Sequence, residues 1–258
     1  MGELYIGTSG YDYPEWKGIF YPEKHARSRF LEYYATQFNS LELNGTYYRM
    51  PDAEQMRNMI TRTGGKVKFS VKANKDLTHA ADKSHYLPLV AEFKKALEPL
   101  QNNNLLLCSL FQFPESFYYD KEERIYLDNL LKELADIPVV VEMRNTNWQN
   151  DQVYNALQQR KTGWCITDNP NLKNLLKLEY ICTSDIAYIR FHGRNEKNWY
   201  NGDSATRYDY LYNDTELQSF VDPIKQLLKN SKIVQLFFNN HAKSQATVNA
   251  KKIAWLLN

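Results

Sequence analysis

The sequence predicts an α/β fold, a (β/α)8 TIM-barrel-like single domain spanning residues 1–258. Three observations point there. Strand-like and helix-like segments alternate about eight times along the chain. Short apolar runs end repeatedly in charged or amide residues, as strands do when their C-terminal ends build a site. No GxGxxG follows the first strand, which weakens the competing open doubly wound sheet.

The elements follow in order. LYIGT (4–8) reads as a strand, and ARSRFLEYYATQF (26–38) as a helix. NSLELN (39–44) is strand-like, and DAEQMRNMITRTG (52–64) is a helix that stops at Gly64–Gly65. KVKFSVKAN (66–74) alternates β-branched and aromatic residues with polar ones, as a strand does. A helix near 87–99 carries Pro88 in its first turn, where a missing N–H does little harm. NLLLCSLF (104–111) is a buried strand. In 121–135, Leu127, Leu130, Leu131 and Leu134 form the stripe of an amphipathic helix. PVVVEM (138–143) is a continuous apolar run ending in charge, the usual reading of a parallel strand. A helix near 150–160 follows, then strands at 162–168 and 186–192. Leu217, Phe220, Val221, Ile224, Leu227 and Leu228 share one face of a helix over 214–229, with Asp214 or Thr215 as its N-cap. The last strand is 231–240, and Ser244 caps a final helix to about Leu257. The connections 9–25, 169–185 and 193–213 are longer than core geometry requires and follow strand C-ends.

Composition narrows the function classes. A net charge of +2 imposes no global field for a polyanion. Cys108, Cys165 and Cys182 show no CxxC or metal-ligand spacing; Cys108 and Cys165 sit inside apolar runs and read as buried free thiols, which fits a reducing cytoplasm. No signal peptide or stretch of 18 apolar residues is visible, so a cytoplasmic protein without membrane contact is expected. No obligate protein partner is evident either. The 19 tyrosines stand out, because many cluster in loops: YDYPEW (11–16), TYYRMP (46–51), NWY (198–200) and YDYLY (208–212). Loop tyrosines either cover a core or form a stacking wall for a base or sugar ring.

Seven motifs in order resemble the YecE-like family, also called domain of unknown function 72. They are GTSGYDYPEWKGIFYP (7–22), ELNGTYYRMP (42–51), FSVKAN with TH (69–74, 78–79), FQFPESF (111–117), VEMRNTNW (141–148), YIRFHGRN (188–195) and FFNNH with NA (237–241, 249–250). The resemblance covers nearly the whole chain. It implies a TIM-barrel-like fold and implies no reaction. Family members often carry a His where this chain has Asn145, and a Gly in the stretch that reads Ala242-Lys243-Ser244 here.

Residues two apart on a strand share a face. Glu42/Asn44, Lys72/Asn74, Glu142/Arg144 and Arg190/His192/Arg194 are therefore expected as same-side sets at strand ends. Glu142 is either an acid/base or a structural partner of Arg144. His192, between two arginines, is either a neutral base or a structural histidine. His241 follows Asn239 and Asn240, which polarise an oxygen, bind a sugar hydroxyl or cap a turn. Lys72 is an electrostatic clamp or a Schiff-base amine, the latter requiring an apolar pocket that the sequence does not display. Arg49, Lys72, Arg144, Arg190 and Arg194 suit an anion site, with Glu42 and Asp168 neutralising them; Gln112 ends another strand.

These residues lead to an expected enzyme of hydrolase or lyase type, without cofactor, acting on a phosphate-bearing substrate such as a nucleotide, nucleic-acid segment or sugar phosphate. Glu142, His192 and His241 would be catalytic. Tyr11, Trp16, Tyr47, Trp199 and Tyr208 would stack on a ring. Two alternatives stand beside it: a non-catalytic binder of single-stranded nucleic acid or nucleotide, and a metal-dependent sugar isomerase or endonuclease-like hydrolase. For the latter, His79, Glu142, Asp168, His192 and His241 lie near different strand ends, but no HxH, HxxE or HExxH occurs and no metal site is expected.

Overall fold

The structure, a computed structural model, describes residues 1–258 apart from the side chains of Ser204 and Ala205. Eight parallel strands form one nearly closed barrel: β1 (Glu3–Thr8), β2 (Ser40–Leu43), β3 (Lys68–Lys72), β4 (Leu106–Gln112), β5 (Val139–Glu142), β6 (Gly163–Asp168), β7 (Ile186–Phe191) and β8 (Ile233–Phe238). Around them lie α1 (Phe30–Tyr34), α2 (Ala53–Thr63), α3 (Leu87–Asn102), α4 (Lys121–Glu133), α5 (Asp151–Gln159), α6 (Ser204–Arg207), α7 (Asp214–Asn230) and α8 (Gln245–Leu257). The predicted fold class holds.

Alternation along each strand sorts the side chains into two layers. Phe69, Val71, Val139, Val141, Ile166, Ile189, Leu236 and Phe238 face outward and pack under the helices. A smaller apolar cluster of Cys108, Leu110, Val140, Cys165, Ile186, Tyr188 and Phe237 plugs the barrel interior. Cys108 and Cys165 are buried free thiols, as their apolar neighbours predict. Above this plug the inward positions turn polar, and the site sits there.

The barrel has one seam. β1 and β2 share a single bridge, Ser9 to Glu42, rather than a ladder. Side chains replace the missing backbone bonds. Asn39 accepts from Ile6 N at 3.1 Å and donates to Leu4 O at 3.1 Å. The buried Tyr34 hydroxyl accepts from Thr8 N at 2.9 Å and donates to Ser40 O at 2.9 Å. Strand groups left without partners at a buried edge would each cost roughly 1–3 kcal/mol, so this stitching keeps the seam shut. Gly7 is required there, because a Cβ would stand 2.1 Å from Ser40 O.

Three details differ from the sequence reading. The helix expected over 26–38 is a 3-10 turn (Arg27–Arg29) followed by the short α1, since Thr36, Gln37 and Phe38 close in turns. The cap of α7 is Asn213, which forms a reciprocal capping box with Glu216 instead of leaving the role to Asp214 or Thr215. Ser244 does precede α8, but it adopts φ 61° and bonds the Thr247 hydroxyl at 2.8 Å rather than a backbone N–H. The β6–β7 connection carries no α-helix, whereas the β7–β8 connection carries both α6 and α7.

Candidate functional site

Inward-facing residues at the C-terminal ends of β2, β5 and β7 meet across the barrel. Arg190 Nη1 donates to Glu142 Oε2 at 2.6 Å, and Arg190 Nη2 donates to Glu42 Oε1 at 2.7 Å. Tyr188 donates its hydroxyl to Glu42 Oε2 at 2.6 Å. All four side chains are buried. Arg144 Nε lies 2.7 Å from Glu142 Oε1 and closes the cluster from above. Burial alone would raise the Glu142 carboxyl pKa, but Arg144, Arg190 and His192 outweigh it and hold the group well below the usual carboxylate range. Two carboxylates and two guanidiniums balance, which makes so deep a burial tolerable.

His192 is fully buried beside this pair. Arg144 Nη2 can only donate, so at 3.1 Å it makes His192 Nε2 an acceptor. Asn239 Nδ2 lies 3.0 Å from the other ring nitrogen, Nδ1; turning the amide over puts its oxygen there to accept from Nδ1–H. Burial first, and Arg144 next, push the His192 pKa down to about 3, against the pull of Glu142. The imidazole is therefore neutral.

Lys72 ends β3 and reaches the mouth. Its Nζ donates to Gln112 Oε1 at 2.9 Å and lies 4.3 Å from the Tyr47 ring centroid. Desolvation, then the charge of Arg190, lowers its pKa to about 7 despite Glu142 and Glu42. Gln112 continues toward His79, with Nε2 atoms 3.4 Å apart. Partial desolvation and the cations Lys72 and Arg144 take His79 down to about 4.

Over these groups opens a cleft of about 360 Å³, lined by His79, Gln112, Pro114, Glu115, Arg144, Trp199, Tyr200, Arg207 and Tyr208. Trp199 and Tyr208 come from the long 193–213 connection. Their rings stand 6.4 Å and 5.9 Å from the His192 ring. The Arg207 Nε is buried, with no hydrogen-bond partner among the described residues. Among the described residues no three His, Cys, Asp or Glu side chains converge as a metal-ligand set.

Several expected site residues are committed elsewhere. Arg194 was expected on the face of Arg190 and His192, but Gly193 (φ 85°) turns the chain away from extended geometry. Arg194 instead pairs with Asp168 at 2.6 Å and Glu216 at 3.3 Å. Asp168 also accepts the Tyr212 hydroxyl at 2.6 Å, so this set fastens the loop rather than neutralising the mouth. Asn74 donates to Thr46 O at 3.1 Å and caps the turn at Lys75–Leu77. Asn240 donates to Tyr210 O and to Asn249 Oδ1, at 2.8 and 2.9 Å. Trp16 is 0% exposed and donates to His241 O at 2.7 Å, which leaves no free face for stacking. Tyr11 packs on Tyr34 and neighbours Arg62, away from the cleft. Arg49 is exposed, and no described hydrogen bond or ion pair ties it to the cluster. His241 stacks on Tyr13 at 4.7 Å and neighbours Tyr208 at 6.0 Å, on the rim. Asn44 sits at the end of β2, with its Oδ1 buried and lacking a hydrogen bond among the described residues.

Arg207 and Glu115 carry no role legible in the sequence, Tyr200 enters it only within the NWY loop cluster, and His79 only as a metal-ligand candidate. The one signal for Arg207 was a cation inside a long strand-end loop, beside the YDYLY cluster. Asn145 donates to Glu115 O at 2.8 Å and so braces the cleft wall.

A parallel eight-stranded barrel with charged strand ends gathered under a cleft defines a TIM-barrel protein with a mouth site. The chain belongs to the family described as "Protein of unknown function DUF72", which it matches over residues 5–258. It is 29% identical over 271 residues to UPF0759 protein YunF of Bacillus subtilis, covering 98% of this chain and 94% of that one. It is 30% identical over 97 residues to UPF0759 protein YecE of Escherichia coli, covering 38% of this chain and 33% of that one. A DUF72 family crystal structure from Thermotoga maritima superposes with a TM-score of 0.92 at 34% identity, covering 98% of each chain. One from Enterococcus faecalis reaches 0.88 at 22% identity, over 99% of this chain and 96% of that one, and supports the fold.

Proposed function

We propose that this barrel is an enzyme of lyase or hydrolase type acting on a small phosphate-bearing substrate with a ring, such as a nucleotide or sugar phosphate. One observation carries the reading: the Arg144 and Arg207 guanidiniums share a cleft with Trp199, Tyr200 and Tyr208. Guanidinium forks match phosphate oxygens, and aromatic walls match a ring. The buried Arg207 Nε supplies a donor that a phosphate oxygen would satisfy. A volume of about 360 Å³ lies at the small end of ligand clefts, which favours one small molecule over a long single strand.

The roles then differ from those read in the sequence. Glu142 is a permanent carboxylate that fixes Arg144 and Arg190; it has no proton to give. His192 is a neutral acceptor that orients Arg144. Proton transfer falls to Lys72, whose pKa near 7 suits a general base at neutral pH. Calorimetric titration of a nucleoside monophosphate and a sugar phosphate against the wild-type chain and Arg207→Ala tests the reading. Saturable binding that Arg207→Ala weakens supports it, and binding indifferent to Arg207 removes it.

A further inference from the structure

Lys72 is set apart from the other cations of the mouth. Arg190 and Arg144 take up the oxygens of Glu42 and Glu142. Among the described residues Lys72 stands in no ion pair. Its described hydrogen bond goes to a neutral amide, Gln112 Oε1. That amide cannot be turned around without loss, because Gln112 Nε2 donates to Phe113 O at 3.0 Å. The Lys72 Nζ stands over the Tyr47 ring, 4.3 Å from its centroid, and the residue remains partly exposed at the end of β3. Burial first, and the charge of Arg190 next, disfavour the ammonium against the pull of Glu142, Glu42 and the Tyr47 ring face, and they leave much of the amine unprotonated near neutral pH.

We propose that Lys72 Nζ is a nucleophile that condenses with an aldehyde or ketone carbonyl of the phosphate-bearing substrate to form an imine. The inference rests on the phosphate reading above and names the reactive group of that substrate. The Nζ lone pair attacks the carbonyl carbon, forming the C–N bond, while the carbonyl π pair moves to oxygen. That oxygen takes up two protons in all and leaves as water; the nitrogen gives up two. Nothing is oxidised or reduced. When protonated, the imine draws electrons from the adjacent carbon and so permits a neighbouring C–C, C–O or C–H bond to break, which is lyase chemistry. Neutral His79, linked to Lys72 through Gln112, is placed to pass protons to and from the departing oxygen.

The test uses the full chain and two probes, glycolaldehyde phosphate and unphosphorylated glycolaldehyde. Each is incubated at neutral pH with borohydride, and the labelled peptides are found by mass spectrometry. The proposal expects Lys72 to be labelled on the order of tenfold or more faster than exposed lysines such as Lys197 and Lys225. The phosphorylated aldehyde should label fastest, and Lys72→Met should abolish the fast label. A label spread over surface lysines, with Lys72 no faster than the rest, overturns the imine, even where phosphate binding persists. Equal fast labelling of Lys72 by both aldehydes supports the imine and removes only the phosphate reading. Because the primary readout is on the wild-type chain, a poorly folding Lys72→Met does not obscure the result.

Discussion

Arg190 reaches across the barrel interior from β7 to place its Nη1 2.6 Å from Glu142 Oε2 on β5, with both side chains buried. The two strands are not neighbours; β6 lies between them. The pair therefore ties together two strands that share no backbone ladder, and Glu42 extends the tie across the interior to β2. Everything at the mouth is built on this floor.

Removing one charge from the floor should be costly. Glu142→Gln leaves two guanidiniums short of a carboxylate, and the expected loss is about 3 kcal/mol or more of folding stability. Urea denaturation measures it. A change within roughly 0.5 kcal/mol, the range of ordinary surface substitutions, would mean that the buried network does not hold as described.

His192 makes stability pH-dependent on the acid side. Its pKa is about 3 when folded and about 6.5 when unfolded, so between those values the unfolded chain binds the extra proton. Stability should fall as pH drops from about 6.5 toward 3. The depressed carboxyl of Glu142 acts in the same direction at the lower end, where its pairing is lost by protonation. His192→Gln should flatten the slope between pH 6 and 4, checked by melting temperature across that range.

Lys72 predicts the opposite flank. Folded near 7 and unfolded near 10.5, it leaves the unfolded chain holding more protons between those limits. This contribution makes stability rise with pH from about 7 to 10.5 and plateau beyond. Comparing the wild-type chain with Lys72→Met over that window isolates the effect: the variant should lack the rise. Parallel curves would show that Lys72 is not held uncharged.

Arg207→Ala should weaken binding of a nucleoside monophosphate about tenfold, the usual scale of a charge-assisted hydrogen bond to phosphate. Its melting temperature should barely move, because Arg207 sits on the rim of the cleft. Calorimetry and a thermal melt together separate the two effects.

Asn240→Ala should behave in the reverse manner. Its amide holds Tyr210 O and Asn249, so the expected loss is about 1–2 kcal/mol of stability from broken buried hydrogen bonds. Affinity for the same phosphate monoester should change less than twofold. A large affinity loss without destabilisation would restore Asn240 to the binding site.

The barrel was legible because period-2 alternation places Glu42, Lys72, Glu142, Arg190 and His192 on inward faces without any knowledge of tertiary contacts. That logic fails where the strand stops. Arg194 and Asn74 lie three and two residues beyond the ends of β7 and β3, and local turns redirect them to loop-fastening bonds. Trp16 and Trp199 look alike in sequence, each in an aromatic loop. Both are buried, at 0% and 3% exposure, and only their neighbours separate them: Trp16 packs on Tyr13 and bonds His241 O, while Trp199 borders the cleft. The seam is the least legible feature, since nothing in the sequence marks Asn39 and Tyr34 as stand-ins for a backbone ladder. The Lys72 environment was hidden for a similar reason: its neighbours Tyr47, Gln112 and Arg190 come from three other segments.

The most direct measurement is a crystal structure of the chain grown with a nucleoside monophosphate. The phosphate should lie within hydrogen-bond distance of Arg144 and of the Arg207 Nε, with the base against Trp199 or Tyr208. A ligand seated elsewhere, for example in the outer groove between α4 and α5 beside Arg124 and Trp148, with the mouth left to solvent, would contradict the account.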